Sequence, residues 1–197
     1  MMPDVHIVDD DEAIRESLAF LLQSVGHETE VYCTAMSFLA SDWRAAKGCL
    51  ITDVRMPGLS GLDLTVALRA KGFDLPILMI TGHADIPLAV QAMKAGVSDF
   101  LEKPFTEERL LSAIRTATRS MPLASIAAPF HTLVTGLSPR EVEVLRGVIS
   151  GKANKVIAGE LGISPRTVEV YRANVMSKTG AASLAQLVRM AISADFN

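Results

Sequence analysis

The feature that most limits how this chain can fold is a five-fold alternation in its first ~120 residues. Val5-His6-Ile7-Val8 is a short strand-like run that ends in aspartates. Ile14, Leu18, Leu21, Leu22 and Val25 then recur at helical spacing until Gly26. Thr29 to Tyr32, Cys49 to Thr52, Pro76 to Ile80 and Val97 to Leu101 read as four further strands. Helical patterns follow them: residues 34–43, residues 61–70, the stripe Ile86, Ala89, Val90 and Met93 closed by Gly96, and the stripe Leu110, Leu111, Ile114 and Ala117. Five β-then-α units predict an α/β fold, a doubly wound five-stranded parallel sheet with helices on both faces. Wholly apolar strands fit, because a parallel sheet is covered on both sides.

The pattern then changes. Pro122 and Pro129 interrupt any continuous helix and small residues dominate residues 119–135. Four short helical patterns follow. Ser138-Pro139-Arg140-Glu141 opens the first with a capping serine, a proline at the first helical position and a glutamate reaching back. Residues 153–161 form the second, Ser164-Pro165 opens the third, which runs to Lys178, and residues 183–193 form the fourth. The expected organisation is a first domain at 1–120, a linker at 121–133 that docks through Leu123, Ile126 and Phe130, and a small all-α four-helix domain at 134–197.

Composition narrows the function. Hydrophobic residues make up 49% of the chain, enough for packed cores. No apolar run approaches the ~20 residues of a membrane span, and no basic-then-apolar leader opens the chain. A cytoplasmic protein with no membrane partner is expected, with Cys33 and Cys49 as two buried thiols rather than metal ligands. Residues 134–197 hold eight Lys/Arg against five Asp/Glu, while the rest holds eleven against seventeen. An acidic part and a basic part suggest two jobs, the basic one facing nucleic acid.

The strand ends carry the chemistry. Strand one delivers Asp9 and Asp10, strand three Asp53, strand four Thr81, and Lys103 follows strand five. Ligands in such sheets sit at the carboxyl ends of the strands. Carboxylates gathered there repel one another, and a hard divalent cation such as Mg²⁺ relieves the repulsion. A cation beside a carboxylate, a hydroxyl and an ammonium makes a cradle for a phosphoryl group, with a carboxylate as nucleophile and an acyl phosphate as product. Asp11 has no part in this and reads as a helix-start acid.

Val8-Asp9-Asp10-Asp11, Asp53-Val54-Arg55-Met56-Pro57-Gly58, Thr81-Gly82 and Lys103-Pro104-Phe105 together resemble the CheY-like receiver domain, over residues 1–120. The resemblance implies that Asp53 is phosphorylated. It implies that Asp10, Asp53 and the Arg55 backbone carbonyl bind Mg²⁺, with Asp9 acting through water. It also implies that Lys103 contacts the phosphoryl oxygens and that Thr81 and Phe100 form a switch pair. Phe100 stands where many members carry Tyr.

Gly162-Ile163-Ser164 separates the second and third short helices at helix-turn-helix spacing. On a helical wheel Val168, Tyr171 and Val175 share the core face of the third helix, and Arg166, Glu169, Val170, Ala173 and Ser177 face outward. Such a face can enter a major groove, with Val170 against a thymine methyl and Glu169 accepting from a cytosine amine. Thr167, Arg172, Asn174, Lys178 and Lys155 lie nearer the flanks, where phosphates fall. Leu137 to Glu141, Asn154-Lys155 and Thr167 to Arg172 resemble the LuxR/NarL-type helix-turn-helix, and the combination is similar to the FixJ subgroup of response regulators. The resemblance implies a phosphorylation-dependent transcriptional regulator and activator rather than an enzyme. Its partners are then a sensor histidine kinase, double-stranded promoter DNA, RNA polymerase and, when phosphorylated, a second copy of the chain. Two other readings stay open: an aspartyl-phosphate phosphotransferase, and a DNA-binding protein indifferent to phosphorylation. Arg55, two residues after Asp53, does not fit the second aspartate of the haloacid-dehalogenase pattern.

Overall fold

A computed structural model describes residues 4–82, 86–118 and 130–196. The strands are β1 (Val5–Val8), β2 (Thr29–Tyr32), β3 (Cys49–Asp53), β4 (Ile77–Thr81) and β5 (Asp99–Glu102). The helices are α1 (Glu12–Ser24), α2 (Ala35–Ala40), α3 (Gly61–Ala70), α4 (Ile86–Lys94), α5 (Glu107–Thr118), α6 (Pro139–Ile149), α7 (Asn154–Leu161), α8 (Pro165–Thr179) and α9 (Leu184–Ser193). The chain divides into two compact units, Met1–His83 with Ala95–Ser120, and Ala84–Lys94 with Met121–Asn197.

The first unit is built on one parallel sheet in the order β2-β1-β3-β4-β5. Strand residues alternate between two covered faces. Val5 and Ile7 of β1, Cys49 and Ile51 of β3, and Leu78 and Ile80 of β4 pack with Leu18 and Leu22 of α1 and Leu110, Ala113 and Ile114 of α5. The opposite face meets α2 and α3, where Phe38, Trp43, Leu64, Leu68 and Phe73 are buried. Each fully buried aliphatic side chain contributes about 1.5–3 kcal/mol, so this double cover is what holds the strands flat against their helices. Both edges are short: β2 and β5 have four residues each, and Glu30 on β2 is exposed. The chain leaves β1 first to one side and then to the other. The sheet order therefore reverses there, and a crevice opens beyond the carboxyl ends of β1 and β3.

Local differences from the sequence reading have local causes. The helix expected at 34–43 is split into α2 and a 3-10 turn at Trp43–Ala45, because Ser41 leaves the helix with extended backbone. Strand β4 starts at Ile77 rather than Pro76, which has no N–H for the ladder, although the Pro76 carbonyl accepts from Leu50 N at 2.9 Å. Strand β5 starts at Asp99 and runs one residue further than expected, to Glu102. Cys49 is buried, and burial pushes its thiol up to about 12. Cys33, expected to be buried as well, is exposed, since it lies just past the edge strand β2.

In the second unit Ser138 and Glu141 close a reciprocal capping box at α6, with Pro139 in the first turn. Phe130, Leu137, Leu145, Ile149, Val175, Leu187, Met190 and Ala191 form one core. Phe130 is fully buried, edge-on to Phe196 at 5.7 Å between ring centroids, so this apolar residue of the expected linker docks on the helices. Leu123 and Ile126 lie outside the described residues. Among the described residues no helix is long and apolar enough to cross a membrane.

Candidate functional site

Asp9 follows β1 directly and Asp53 is the last residue of β3, so the sheet order places them on either side of the crevice. Lys103 follows β5, and its backbone N–H donates to the Thr81 carbonyl at 2.7 Å, which fixes it beside the end of β4. The Lys103–Pro104 peptide is cis. From this anchor the ammonium reaches between the two acids: Nζ lies 2.9 Å from Asp53 Oδ1 and 3.2 Å from Asp9 Oδ2. The second oxygens are held by backbone. Asp9 Oδ1 accepts from Asp11 N at 2.9 Å, and Asp53 Oδ2 accepts from Arg55 N at 2.6 Å. Both acids are buried, with 3% of Asp9 and 9% of Asp53 exposed, so each carboxylate is aimed rather than free to turn.

Burial pushes the Asp9 carboxyl above its ordinary value, against the Asp11 N–H and the Lys103 charge, which act to lower it. Burial acts to lower the Lys103 ammonium, but the hydrogen bond to Asp53 and the charges of Asp9 and Asp53 outweigh it and leave it raised. The ammonium therefore stays charged. A carboxylate oxygen with a fixed cation alongside, at the mouth of a crevice, is set up to accept an electrophilic phosphorus and to have the new oxyanions met by positive charge.

Of the three carboxylates expected to gather here, Lys103 bridges two, Asp9 and Asp53. Asp10 and Arg55 are exposed at the rim, one residue past Asp9 and two past Asp53. Among the described residues no three acidic, histidine or cysteine groups stand together as a metal cluster. The donors that do meet are carboxylate oxygens, a hard set that suits Mg²⁺ and not a soft metal. Thr81 is buried at the end of β4, and Phe100 is buried in β5, opposite Met79. Asp11 caps α1, accepting from Ala13 N and Ile14 N, as a helix-start acid does.

Two supports had no motif to announce them. Arg15 reaches back from α1 and donates to the Asp9 carbonyl at 2.8 Å. Gly61 opens α3 so close to β3 that a Cβ there would lie 2.1 Å from the Asp53 carbonyl oxygen. The signal for Gly61 was present in part, since Ser60 marks a helix start and a glycine just inside one has no capping reason.

In the second unit α7 ends at Gly162, which adopts the left-handed conformation that turns the chain, and Ser164 caps α8 by accepting from Thr167 N at 3.1 Å. Val168 and Val175 are buried and Tyr171 half-buried, whereas Arg166, Glu169, Val170, Ala173, Asn174, Ser177 and Lys178 of α8, with Lys155 of α7, are exposed. Several of the expected contacts have partners within the unit. Arg166 Nη1 pairs with Glu169 Oε2 at 2.8 Å. Arg172 is half-buried and donates to Asn154 Oδ1 at 3.2 Å; burial lowers its guanidinium, against the charge of Glu169. Lys178 Nζ bonds Glu141 Oε2 at 2.7 Å, tying the end of α8 to the capping box of α6. The hydrogen bonds from Lys178 and from Ser138 N hold the buried Glu141 carboxyl below its ordinary value.

An aspartate-centred crevice on a parallel sheet, joined in one chain to a helix-turn-helix, defines a response regulator. Residues 5–115 match the response regulator receiver domain, and residues 135–191 match the luxR family of bacterial regulatory proteins. The chain belongs to the FixJ/NarL-type response regulators. It is 50% identical over 194 residues to the transcriptional regulatory protein FixJ of Azorhizobium caulinodans, covering 96% of this chain and 92% of that protein. It is 46% identical over 190 residues to the response regulator protein TodT of Pseudomonas putida, covering 94% and 84%. Among solved structures it resembles full-length FixJ from B. japonicum, with 47% identity, a TM-score of 0.55 and coverage of 99% and 98% of the two chains. It also resembles the response regulator StyR, with 43% identity, a TM-score of 0.57 and coverage of 98% and 99%.

Proposed function

We propose that this protein is a phosphorylation-dependent transcriptional activator of a two-component system. Residues 1–120 are the phosphoacceptor domain, 121–133 the linker and 134–197 the DNA reader. The observation that carries the proposal is the Lys103 ammonium held between the buried Asp53 and Asp9 carboxylates at the reversal point of the sheet.

In this reading an Asp53 carboxylate oxygen attacks the phosphorus of a phosphohistidine on a sensor kinase, or of a small acyl phosphate. The new P–O bond forms as the bond to the donor breaks, and the donor leaves with the electron pair. Lys103 stabilises the negative charge on the transferring oxygens, and the backbone N–H of Arg55 keeps the acceptor carboxylate oriented. Asp10, Asp53 and the Arg55 carbonyl, with Asp9 through water, would hold Mg²⁺, which would supply further neutralisation of the transferring charge. Thr81 and Phe100 then answer the new phosphoryl group. Lys155, Thr167, Asn174 and the exposed face of α8 approach double-stranded promoter DNA, as a homodimer that also engages RNA polymerase. The protein acts in the cytoplasm.

The test is mass measurement after incubation with acetyl phosphate and Mg²⁺, followed by DNA selection. Wild type gains one phosphoryl group and a sharper DNA preference, and Asp53→Asn gains neither. An Asp53→Asn protein that responds to phosphodonor as wild type does, in DNA binding and transcription, replaces this reading with a DNA-binding protein indifferent to phosphorylation.

A further inference from the structure

The exposed face of α8 presents an acid where it must meet a polyanion. Glu169 stands in the middle of that face with about half of its side chain exposed, next to Val170 and one turn from Ala173. An isolated carboxylate there opposes approach to phosphates, and a surface ion pair adds little to helix stability. Yet Glu169 is not isolated. Arg166, one turn earlier and 86% exposed, bonds its Oε2 at 2.8 Å, and Arg172, one turn later, lies within its field. Two cations offset the charge, and the Arg166 hydrogen bond falls on Oε2.

The geometry points to Glu169 as the residue that sets base preference, reading the N4 amine of a cytosine in the major groove, with Arg166 as its positioning residue. The inference rests on the DNA-reading role proposed above and deepens it. The chemistry selects among bases. Guanine shows two acceptors in the major groove, N7 and O6, and both repel a carboxylate. Thymine shows an acceptor and a methyl, and adenine places its N7 acceptor beside its amine. Cytosine alone offers a donor with no acceptor of its own next to it. Val170 adjoins as an apolar patch for a neighbouring thymine methyl. Arg166 holds the carboxylate in place, and its own outward edge adds attraction for the backbone.

The experiment is selection from a random pool of duplex DNA by the full chain, phosphorylated with acetyl phosphate and Mg²⁺. Wild-type protein and the variants Glu169→Ala, Glu169→Gln, Arg166→Ala and Arg166→Lys are compared. In the wild-type site, replacing one cytosine per half-site weakens binding about tenfold or more. Glu169→Ala flattens that one position to within about twofold, leaves the others unchanged and tightens binding to non-specific DNA. Glu169→Gln turns the preference toward adenine, whose N6 and N7 suit an amide. Arg166→Ala weakens the cytosine preference and Arg166→Lys restores part of it, a pattern that loss of a helix-stabilising pair alone does not give. A Glu169→Ala protein that selects the wild-type sequence overturns the inference and leaves the DNA-reading role standing. A wild-type protein that selects no sequence in either phosphorylation state overturns both.

Discussion

Gly61→Ala tests how tightly the Asp53 site depends on its surroundings. The new methyl carbon would sit 2.1 Å from the Asp53 carbonyl oxygen, 2.9 Å from Thr52 Oγ1 and 3.1 Å from the Asp53 carbonyl carbon. Two of those atoms are backbone, so no side-chain rotation relieves the clash. Reaching ordinary contact needs a shift of about 1 Å in the end of β3 or the start of α3. Both are anchored: Gly61 N donates to the Val54 carbonyl at 3.0 Å, and the Gly61 carbonyl accepts from Thr65 Oγ1 at 2.8 Å. Overpacking of this kind costs about 2–3 kcal/mol, which at an ordinary urea dependence lowers the unfolding midpoint by about 1–2 M. A displacement of about 1 Å at a reacting group slows its chemistry by about 10²-fold, so phosphorylation by acetyl phosphate falls steeply as well. Gly159→Ala is the control. That glycine lies inside α7 with open space around its Cα, and alanine there stabilises by about 0.5–1 kcal/mol. Urea titrations and phosphorylation time courses are read side by side. A Gly61→Ala protein with the wild-type midpoint and the wild-type phosphorylation rate refutes the close approach of α3 to β3.

Three further outcomes follow from the packing. Lys178→Met leaves the buried Glu141 without its cation, so thermal melting of the helical unit comes earlier while the salt dependence of DNA binding stays as in wild type; a flatter salt dependence with unchanged melting makes Lys178 a phosphate contact instead. Phe130→Ala costs about 3–5 kcal/mol in urea unfolding of the same unit, and a loss under about 1 kcal/mol removes this residue from the core. His6 is buried beside Tyr32 and Phe38, and burial holds its imidazole below 6.5, against the charges of Glu30 and Asp4. The unfolded chain therefore binds the proton first, and stability falls as pH drops below 6.5 toward the folded value, then levels off. His6→Phe removes that loss, so wild-type and variant unfolding curves that run parallel between neutral and mildly acidic pH contradict the assignment.

The sheet and the meeting of Asp9, Asp53 and Lys103 were legible in the sequence for one reason: parallel strands put their carboxyl ends on one edge. A polar residue closing each apolar run was thereby assigned to a common place, and Asp9, Asp53, Thr81 and Lys103 could be read from spacing. Ser138-Pro139-Arg140-Glu141 was equally readable, because capping chemistry is local. Contacts between distant segments were not. On a helical wheel Lys178 looks like any solvated lysine, and only the fold reveals Glu141, 37 residues earlier, as its partner. Arg172 likewise meets Asn154 across 18 residues. Ser60 announced a helix start but not the strand pressed against Gly61, since a clash with a missing side chain leaves no trace in periodicity. Cys33 misled because its residue type is usually interior, whereas its place beside an outermost strand decides its exposure.

The brevity of the outermost strands has a consequence for how copies of this protein meet. An unsatisfied row of amides invites another chain to extend the ladder, and four residues at β2, with a solvent-facing glutamate among them, offer a poor template. Two molecules brought side by side there would set acid near acid before gaining more than a few backbone bonds. Self-association by extending the ladder is thus disfavoured at this edge, so any pairing of copies has to use another surface.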